Sequence, residues 1–310
     1  MTGLPAEVTG TVVTVGSFDG VHLGHHDILG RLAERSRETG LRSALVTFEP
    51  HPLEIVNPAA APPLLTTWDE KLEVLATCGV DYVIVLQFTA GLAALTAERF
   101  VDEVLIQRVR MRELLIGHDH GFGRDRRGNV AMLRAMAPSH GFTVSVIEPV
   151  GEGSGHAFSS TAIRRAVAGG DLARAAEALG RPYSVSGRVE RGAGRGREMG
   201  FRTINIAPPP PQKLLPPEGV YAARVQTPSG AFGGMLNLGP RPTFNDHAQS
   251  IEAHLFDADV ELYGALVRLE FIERLRETRR FDSPAALVAQ LRLDERHARD
   301  ALSRHAYATQ

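Results

Sequence analysis

Three histidines stand in the stretch "VGSFDGVHLGHH", residues 15–26, among three glycines and one aspartate. Histidine in such a setting serves metal sites, acid/base sites, phosphate sites and plain helix surfaces alike. An apolar run precedes the stretch and a helical pattern follows it, so a turn and a helix N-terminus meet there with unpaired N–H groups. His22 and His25 flank Leu23 and Gly24, and Gly24 leaves room for a ligand at the backbone. Two imidazole N–H donors beside a helix N-terminus suit phosphate oxygens on which negative charge grows during transfer. Zinc is a competing reading, but acidic and thiolate partners for a closed site are missing nearby. The plainest alternative makes His25 and His26 solvated residues of a first helical turn.

Three other stretches hold chemistry-bearing residues. "FSSTAIRRAV", residues 158–167, puts Ser159, Ser160 and Thr161 at a second helix start, with Arg164 one turn on. Hydroxyls, terminal N–H groups and a guanidinium form a phosphate clamp, although a Ser/Thr cap with a surface arginine has the same pattern. "GRGREMGFRTIN", residues 194–205, joins a glycine-rich turn (Gly194, Gly196, Gly200) to Thr203 and Asn205. Such a loop can wrap phosphates, and Thr and Asn oxygens suit a hard Mg²⁺ ion; an ordinary β-turn is the bland alternative. "SIEAHLFD" places Glu252 and His254 on one face of a strand. A glutamate within reach of a substrate hydroxyl can act as general base, and an exposed strand carboxylate is the common alternative.

These residues need elements to hold them. In the first half, "TVVTVGSF", "RSALVTFEP", "DYVIVLQF", "ELLIGHD" and "TVSVIEPV" read as strands. Between them come helical patterns, one over "HHDILGRLAERSRETG" with Gly40 as its stop, others starting near Trp68, Thr96 and Gly128. Alternation of apolar strands with helices predicts a parallel sheet covered on both faces, with ligands outside the strands' carboxyl ends. The character changes near residue 183, which predicts domains over 1–183 and 184–310. "SSTAIRRAVAGGDLARAAEALG" gives two short helices, and a Gly- and turn-rich region begins at "PYSVSGRVERGAGRGREMG". "VYAARVQT", "GGMLNLG", "IEAHLFD" and "ALVRLEFIERL" read as antiparallel strands. A closing helix begins at Pro284 with Ser283 as its cap. A compact β-barrel with one C-terminal helix fits this half.

Composition narrows the function classes. The chain has 310 residues, enough for two cores. Its formal charge of −2, from 34 basic and 36 acidic residues, offers no field for a polynucleotide backbone. Cys78 is the one cysteine, so neither a disulfide nor a thiolate metal cage forms. The first ten residues lack a basic region followed by an apolar segment, and no window reaches membrane-spanning length. A cytoplasmic protein with small-molecule partners, and with neither nucleic acid nor membrane among them, is expected; the oligomeric state is open.

"GSFDGVHLGH", "TFEPHP", "LLTTWDEK", "GHDHGFGRDRRGN" and "FSSTAIR", in this order, resemble the adenylyltransferase module of bacterial bifunctional riboflavin kinase/FAD synthetases. The resemblance implies a Rossmann-like α/β nucleotidyltransferase domain of the His-x-Gly-His type that joins the AMP part of ATP to FMN, yielding FAD and pyrophosphate. His22 and His25 would contact the triphosphate, within a phosphate-binding turn of Gly16, Ser17, Phe18, Asp19 and Gly24. Ser159, Ser160, Thr161 and Arg164 would hold the leaving phosphates, and Mg²⁺ would bridge them. Phe48, Pro50, His51, Asp119 and Phe122 would line the FMN side. Ser17 stands where the family often has asparagine, and His120 where it commonly has phenylalanine.

"GFRTIN" and "SIEAHLFD", with "GVYAARV", "NLGPRPTF", "LYG" and "RRFDSPAALVAQLRLD", resemble the riboflavin kinase module of the same family. The resemblance implies an antiparallel barrel that phosphorylates riboflavin with ATP. Thr203 and Asn205 would bind Mg²⁺-ATP, and Glu252 would deprotonate the ribityl 5′-hydroxyl. Arg202 replaces the family's proline, which loosens the approach to the metal-binding pair and adds a charge. A bifunctional enzyme using ATP, riboflavin and FMN is therefore expected. The alternatives are an adenylyltransferase with an impaired kinase domain and a non-catalytic flavin- or nucleotide-binding regulator.

Overall fold

The computed structural model describes residues 4–117, 123, 128–147, 158–192, 199–240 and 249–306. The chain divides into two compact units, Met1–Ser160 and Thr161–Gln310. The division falls upstream of residue 183, where the sequence changes character.

The first unit holds β1 (Thr11–Val15), β2 (Arg42–Glu49), β3 (Tyr82–Gln87), β4 (Met111–Gly117) and β5 (Thr143–Ile147). They form one parallel sheet in the order β3-β2-β1-β4-β5. Strand alternation sends neighbouring residues to opposite faces. Val12, Leu45 and Leu115 pack with Leu29 and Leu32 of α1 (Leu23–Thr39) and with Leu75 of α2 (Trp68–Leu75). Val13, Val15 and Val46 face the other way. They meet Phe100, Val101 and Val104 of a π-helical turn and Leu133 of α3 (Val130–His140). Both faces are thus buried, as nearly all-apolar parallel strands require. The strand order reverses beside β1, so the residues leaving β1 emerge at the point where such sheets bind ligands.

Helix α4 (Ser160–Ala168) starts on the last residue of the first unit, and α5 (Leu172–Leu179) follows. The second unit is a closed antiparallel barrel of β6 (Tyr183–Glu190), β7 (Ile204–Ile206), β8 (Gly219–Thr227), β9 (Gly230–Pro240), β10 (Gln249–Leu255) and β11 (Leu266–Arg276), ordered β10-β7-β6-β11-β8-β9. Val185, Tyr221, Leu236, Leu238, Ala253 and Leu269 fill it and are fully buried. Helix α6 (Pro284–Ala306) covers part of the outer wall, where Ala298 and Ala301 pack on Phe201, Ala222, Met235, Phe256 and Ile272. Its start matches the expected cap, since the Ala286 N–H donates to Ser283 Oγ at 3.2 Å.

One segment departs from the sequence expectation. "PYSVSGRV" opens no turn-rich region but forms β6, in which Tyr183, Val185 and Val189 are buried in alternation. Gly187 sits mid-strand, where a Cβ would lie 2.6 Å from Ile206 Cγ2. The glycine serves close packing of strands, not a reversal of the chain.

Candidate active sites

The turn between β1 and α1 is bent by Phe18, Gly20 and Val21, with φ of 49°, 82° and 38°. Positive φ at a β-branched valine is strained and persists only where its surroundings hold it. Here they do. The Asp19 carboxylate, almost fully buried, accepts from the Leu65 and Thr66 N–H groups at 3.0 and 3.1 Å and from Thr66 Oγ1 at 3.2 Å. Thr66 Oγ1 in turn lies 3.2 Å from the Gly20 N–H that donates to it. Asp19 was placed by sequence among the phosphate-binding residues; its carboxylate is engaged in fixing the shape of the turn. Gly16 and Gly24 answer to close approach. A Cβ at Gly16 would lie 2.9 Å from the Phe18 ring, and one at Gly24 would lie 3.2 Å from the His22 ring.

His22 is the N-cap of α1, and its ring stacks on His25 with centroids 3.7 Å apart at 18°. The Phe18 ring lies 4.6 Å from His25 on centroids. The His22 N–H donates to His25 Nδ1 at 3.3 Å. Burial of the ring holds the His25 pKa well below the usual histidine value, and His22, His26 and Lys71 add to the effect. A neutral ring whose Nδ1 accepts carries its proton on Nε2. His25 is therefore a neutral Nε2–H donor. His26 is not the plain helix-surface residue that its position suggests, since its Nδ1 lies 3.6 Å from the Sγ of half-buried Cys78.

Lys71 closes the stretch "LLTTWDEK", and the sequence alone gives it no part. Its side chain is buried, its Nζ donates to the Ser17 carbonyl at 3.1 Å, and it lies 5.2 Å from the centre of the Trp68 ring. Thr47 Oγ1 donates to the same carbonyl at 3.2 Å. Burial lowers the Lys71 pKa, while Asp19, Glu49 and Glu54 act to raise it. The buried amine thus holds the Ser17 carbonyl within the turn.

Ser160, at the start of α4, donates from Oγ to the Asp19 carbonyl at 3.0 Å, which ties the end of the first unit to its first turn. Ser159 is half-buried; Thr161, exposed, and Arg164, half-buried, continue along α4 in the second unit. Phe48 belongs to the sheet's core, edge-on to Phe88 at 5.3 Å. Half-buried His51 caps the short helix Pro52–Val56, its Nδ1 accepting from the Leu53 N–H at 3.3 Å. Pro50 beside it is also half-buried. Asp119, His120, Phe122, Gly194 and Gly196 lie outside the described residues.

In the barrel, Asn205 of β7 pairs with Glu252 of β10 on one side and with Glu190 of β6 on the other. Glu252 in turn faces Asn237 of β9. Cross-strand partners share a face, so these amides and carboxylates form one polar row. A Cβ at Gly192 would lie 1.9 Å from Asn205 Nδ2, so position 192 must be glycine for the amide to lie where it does. Gly200 has φ of 80°, Phe201 is buried and Thr203 is half-buried. A cavity of about 590 Å³ opens beside them, lined by Phe201, Arg202, His254, Phe256, Asp259 and Arg292 among others. Arg299 braces its wall, holding Asp257 (φ 54°) through contacts of 2.8 and 3.1 Å and lying 4.4 Å from the Phe256 ring centre. That guanidinium holds the Asp257 carboxyl below the usual carboxylate range.

The family model described as FAD synthetase matches residues 4–162, and that described as riboflavin kinase matches residues 179–302. A bifunctional riboflavin kinase/FMN adenylyltransferase of Escherichia coli (strain K12) is 39% identical over 292 residues, 94% of this chain and 92% of the relative. The chain belongs to the bifunctional riboflavin kinase/FMN adenylyltransferase family. Another relative with that name, from Haemophilus influenzae, is 38% identical over 286 residues, covering 92% of each chain. Across this family's fold, a crystal structure described as a macrolide-efflux protein from Streptococcus pneumoniae matches with a TM-score of 0.83. It is 29% identical and covers 94% of both chains. Among the described residues of this family member no helix is long and apolar enough to cross a membrane.

Proposed function

We propose that the chain makes FAD in two steps, phosphorylating riboflavin to FMN in the second half and adenylylating FMN in the first. The observation that carries this reading is the neutral His25, stacked on His22 at the mouth of α1, in the same chain as Glu252 paired with Asn205.

At the first site an FMN phosphate oxygen attacks the α-phosphorus of ATP, and the α–β bond breaks with loss of pyrophosphate. No protein nucleophile takes part. The Nε2–H of His25 donates to an oxygen of the attacked phosphate, and being neutral the ring keeps its proton while charge develops. His22, Gly16, Ser17, Phe18 and Gly24 shape the turn around the triphosphate, and Asp19 and Lys71 hold that shape. Ser159, Ser160, Thr161 and Arg164 steady the leaving phosphates, which is positioning and charge balance. Pro50 and His51 line the FMN side with Phe48 in the core behind them, and Asp119 and Phe122 keep the flavin-side part that the resemblance implies.

At the second site Glu252 takes the proton of the ribityl 5′-hydroxyl as its oxygen attacks the γ-phosphorus, and ADP leaves. Gly194, Gly196 and Gly200 belong to the loop around the phosphates. The donors near Glu252, the Thr203 hydroxyl and the Asn205 amide oxygen, are hard oxygens of the kind Mg²⁺ takes beside phosphate. Bound there with ATP, Mg²⁺ would neutralise phosphate charge. The cavity beside Phe201 and Phe256 has the size of a small-molecule site, with aromatic and aliphatic side chains interleaved with charged ones, and takes the riboflavin. A cytoplasmic location accords with these substrates.

The test is incubation of the purified protein with riboflavin, ATP and Mg²⁺, followed by separation of the flavins. FMN and FAD together are the expected products. Conversion of supplied FMN alone would restrict the reading to the first half, and no product from either flavin would overturn it.

A further inference from the structure

We propose that His254 positions the metal-binding segment of the kinase site by gripping the backbone carbonyl of Arg202. The proposal rests on the reading of Thr203 and Asn205 as the Mg²⁺-ATP residues. Strands β10 and β7 pair Ile251 with Ile206, Glu252 with Asn205 and Ala253 with Ile204, and there the ladder stops. Continued by one step, the register would set His254 opposite Thr203. The backbone makes no such pair; instead the His254 ring reaches across, its Nδ1 lying 2.7 Å from the Arg202 carbonyl oxygen. A carbonyl only accepts, so Nδ1 carries the proton.

This bond acts on Thr203 directly. The Arg202 carbonyl and the Thr203 N–H belong to one rigid peptide plane, so fixing the oxygen fixes the direction in which the chain enters Thr203. The ring is itself held. Phe201 and Phe256 meet it edge-on at centroid distances of 5.2 and 5.9 Å. Both phenylalanines are anchored in the cluster beneath α6. His254 lies two residues beyond Glu252 and on its face of β10. One strand thus carries the general base and the group that sets the metal-binding segment against it.

The Arg202 side chain has little part in this. Its guanidinium stands 3.8 Å from Asp259 and from Glu261, and all three side chains are mostly exposed. Such distances exceed hydrogen bonding, and exposed pairs of this kind stabilise little. An arginine fits where the family has proline because the carbonyl, which every residue type supplies, is the group being held.

Two variants separate the hydrogen bond from the bulk of the ring. His254→Leu fills the space without a donor, and His254→Asn restores an N–H near the Nδ1 position. With His254→Leu we expect the KM for Mg²⁺-ATP in FMN formation to rise about tenfold, the loss of one such bond, with a smaller change in kcat. Conversion of supplied FMN to FAD stays unchanged and reports an intact first unit, while a parental urea midpoint of the barrel reports intact folding of the second. His254→Asn should return the KM to within about threefold of the parent, since it restores that bond. In the metal-free protein the Thr203 amide resonance should move with His254→Leu and move back with His254→Asn. Equal behaviour of the two variants, or a parental KM for His254→Leu, would overturn the proposal. Asn205→Ala is the parallel control. If it leaves FMN formation intact, the metal-binding reading falls and the proposal with it. If it silences the kinase while His254→Leu behaves as the parent, only the proposal falls.

Discussion

The turn between β1 and α1 and the segment from Gly200 to Thr203 both serve a nucleoside triphosphate in the function proposed here, and they are held on different terms. The first is bent through positive φ at Phe18 and Val21 and fastened from distant parts of its unit, by Thr66, by Thr47 with Lys71, and by Ser160. Its charged members Asp19 and Lys71 are buried. The second segment is anchored by the Phe201 side chain in the core and by the Arg202 carbonyl on His254, with Arg202 itself exposed. Stabilising a charge that appears only during transfer needs donors fixed in advance. A segment that supplies oxygens to an arriving cation needs the right approach and little more. Preorganisation is thus concentrated where the protein's own N–H groups do the chemistry.

The largest effect should come from Glu252→Gln, which keeps shape and removes the base. FMN formation should fall by about 10²–10⁴-fold while FAD formation from supplied FMN is unchanged. An unimpaired kinase would take Glu252 out of the base role. His25→Ala is the mirror experiment. We expect FAD formation to drop by about 10²–10³-fold, the cost of losing one fixed donor, and FMN formation to hold. Loss of both activities together would break the comparison, because the sites would then not be separable.

Lys71→Met tests whether the first turn depends on its buried support. A charge-assisted hydrogen bond contributes about 1.5–3 kcal/mol, so FAD formation should fall by roughly tenfold or more with the kinase rate as control. A parental rate would show that the other anchors suffice. The smallest effect concerns acid. The folded His25 resists protonation while the unfolded one takes a proton near pH 6.5, so the unfolded state binds more protons just below that pH. Stability is therefore present above pH 6.5 and declines on acidification, by up to about 1.4 kcal/mol per pH unit, until the folded ring protonates as well. Urea titrations between pH 7.5 and 5.5 should show a shallower decline for His25→Ala than for the parent, each pH step amounting to at most about the linkage value. Parallel pH profiles would remove the buried neutral histidine from the picture.

Much of this was legible in the sequence. Apolar strands alternating with helices gave the parallel sheet, and the Ser283–Pro284 pair placed α6. The His-x-Gly-His turn could be located because its glycines and histidines fall within one short stretch, residues 16–26. What escaped acts across distance. Lys71 meets Ser17 from 54 positions away, and the Asp19 carboxylate meets Leu65 from 46. His254 acquires its part only from the register of β7 against β10. Phe48 has its flavin-side part only from the resemblance of "TFEPHP", and its packing in the sheet's core could not be read from a strand buried on both faces.

The contact between Cys78 and His26 has a practical side. The chain carries a single thiol, and it lies 3.6 Å from a ring one residue beyond His25. A fluorophore or spin label attached at that sulfur would report from the edge of the site proposed for adenylylation, with no background cysteines to remove first. The molecule already contains the handle by which events at its first turn could be followed in real time.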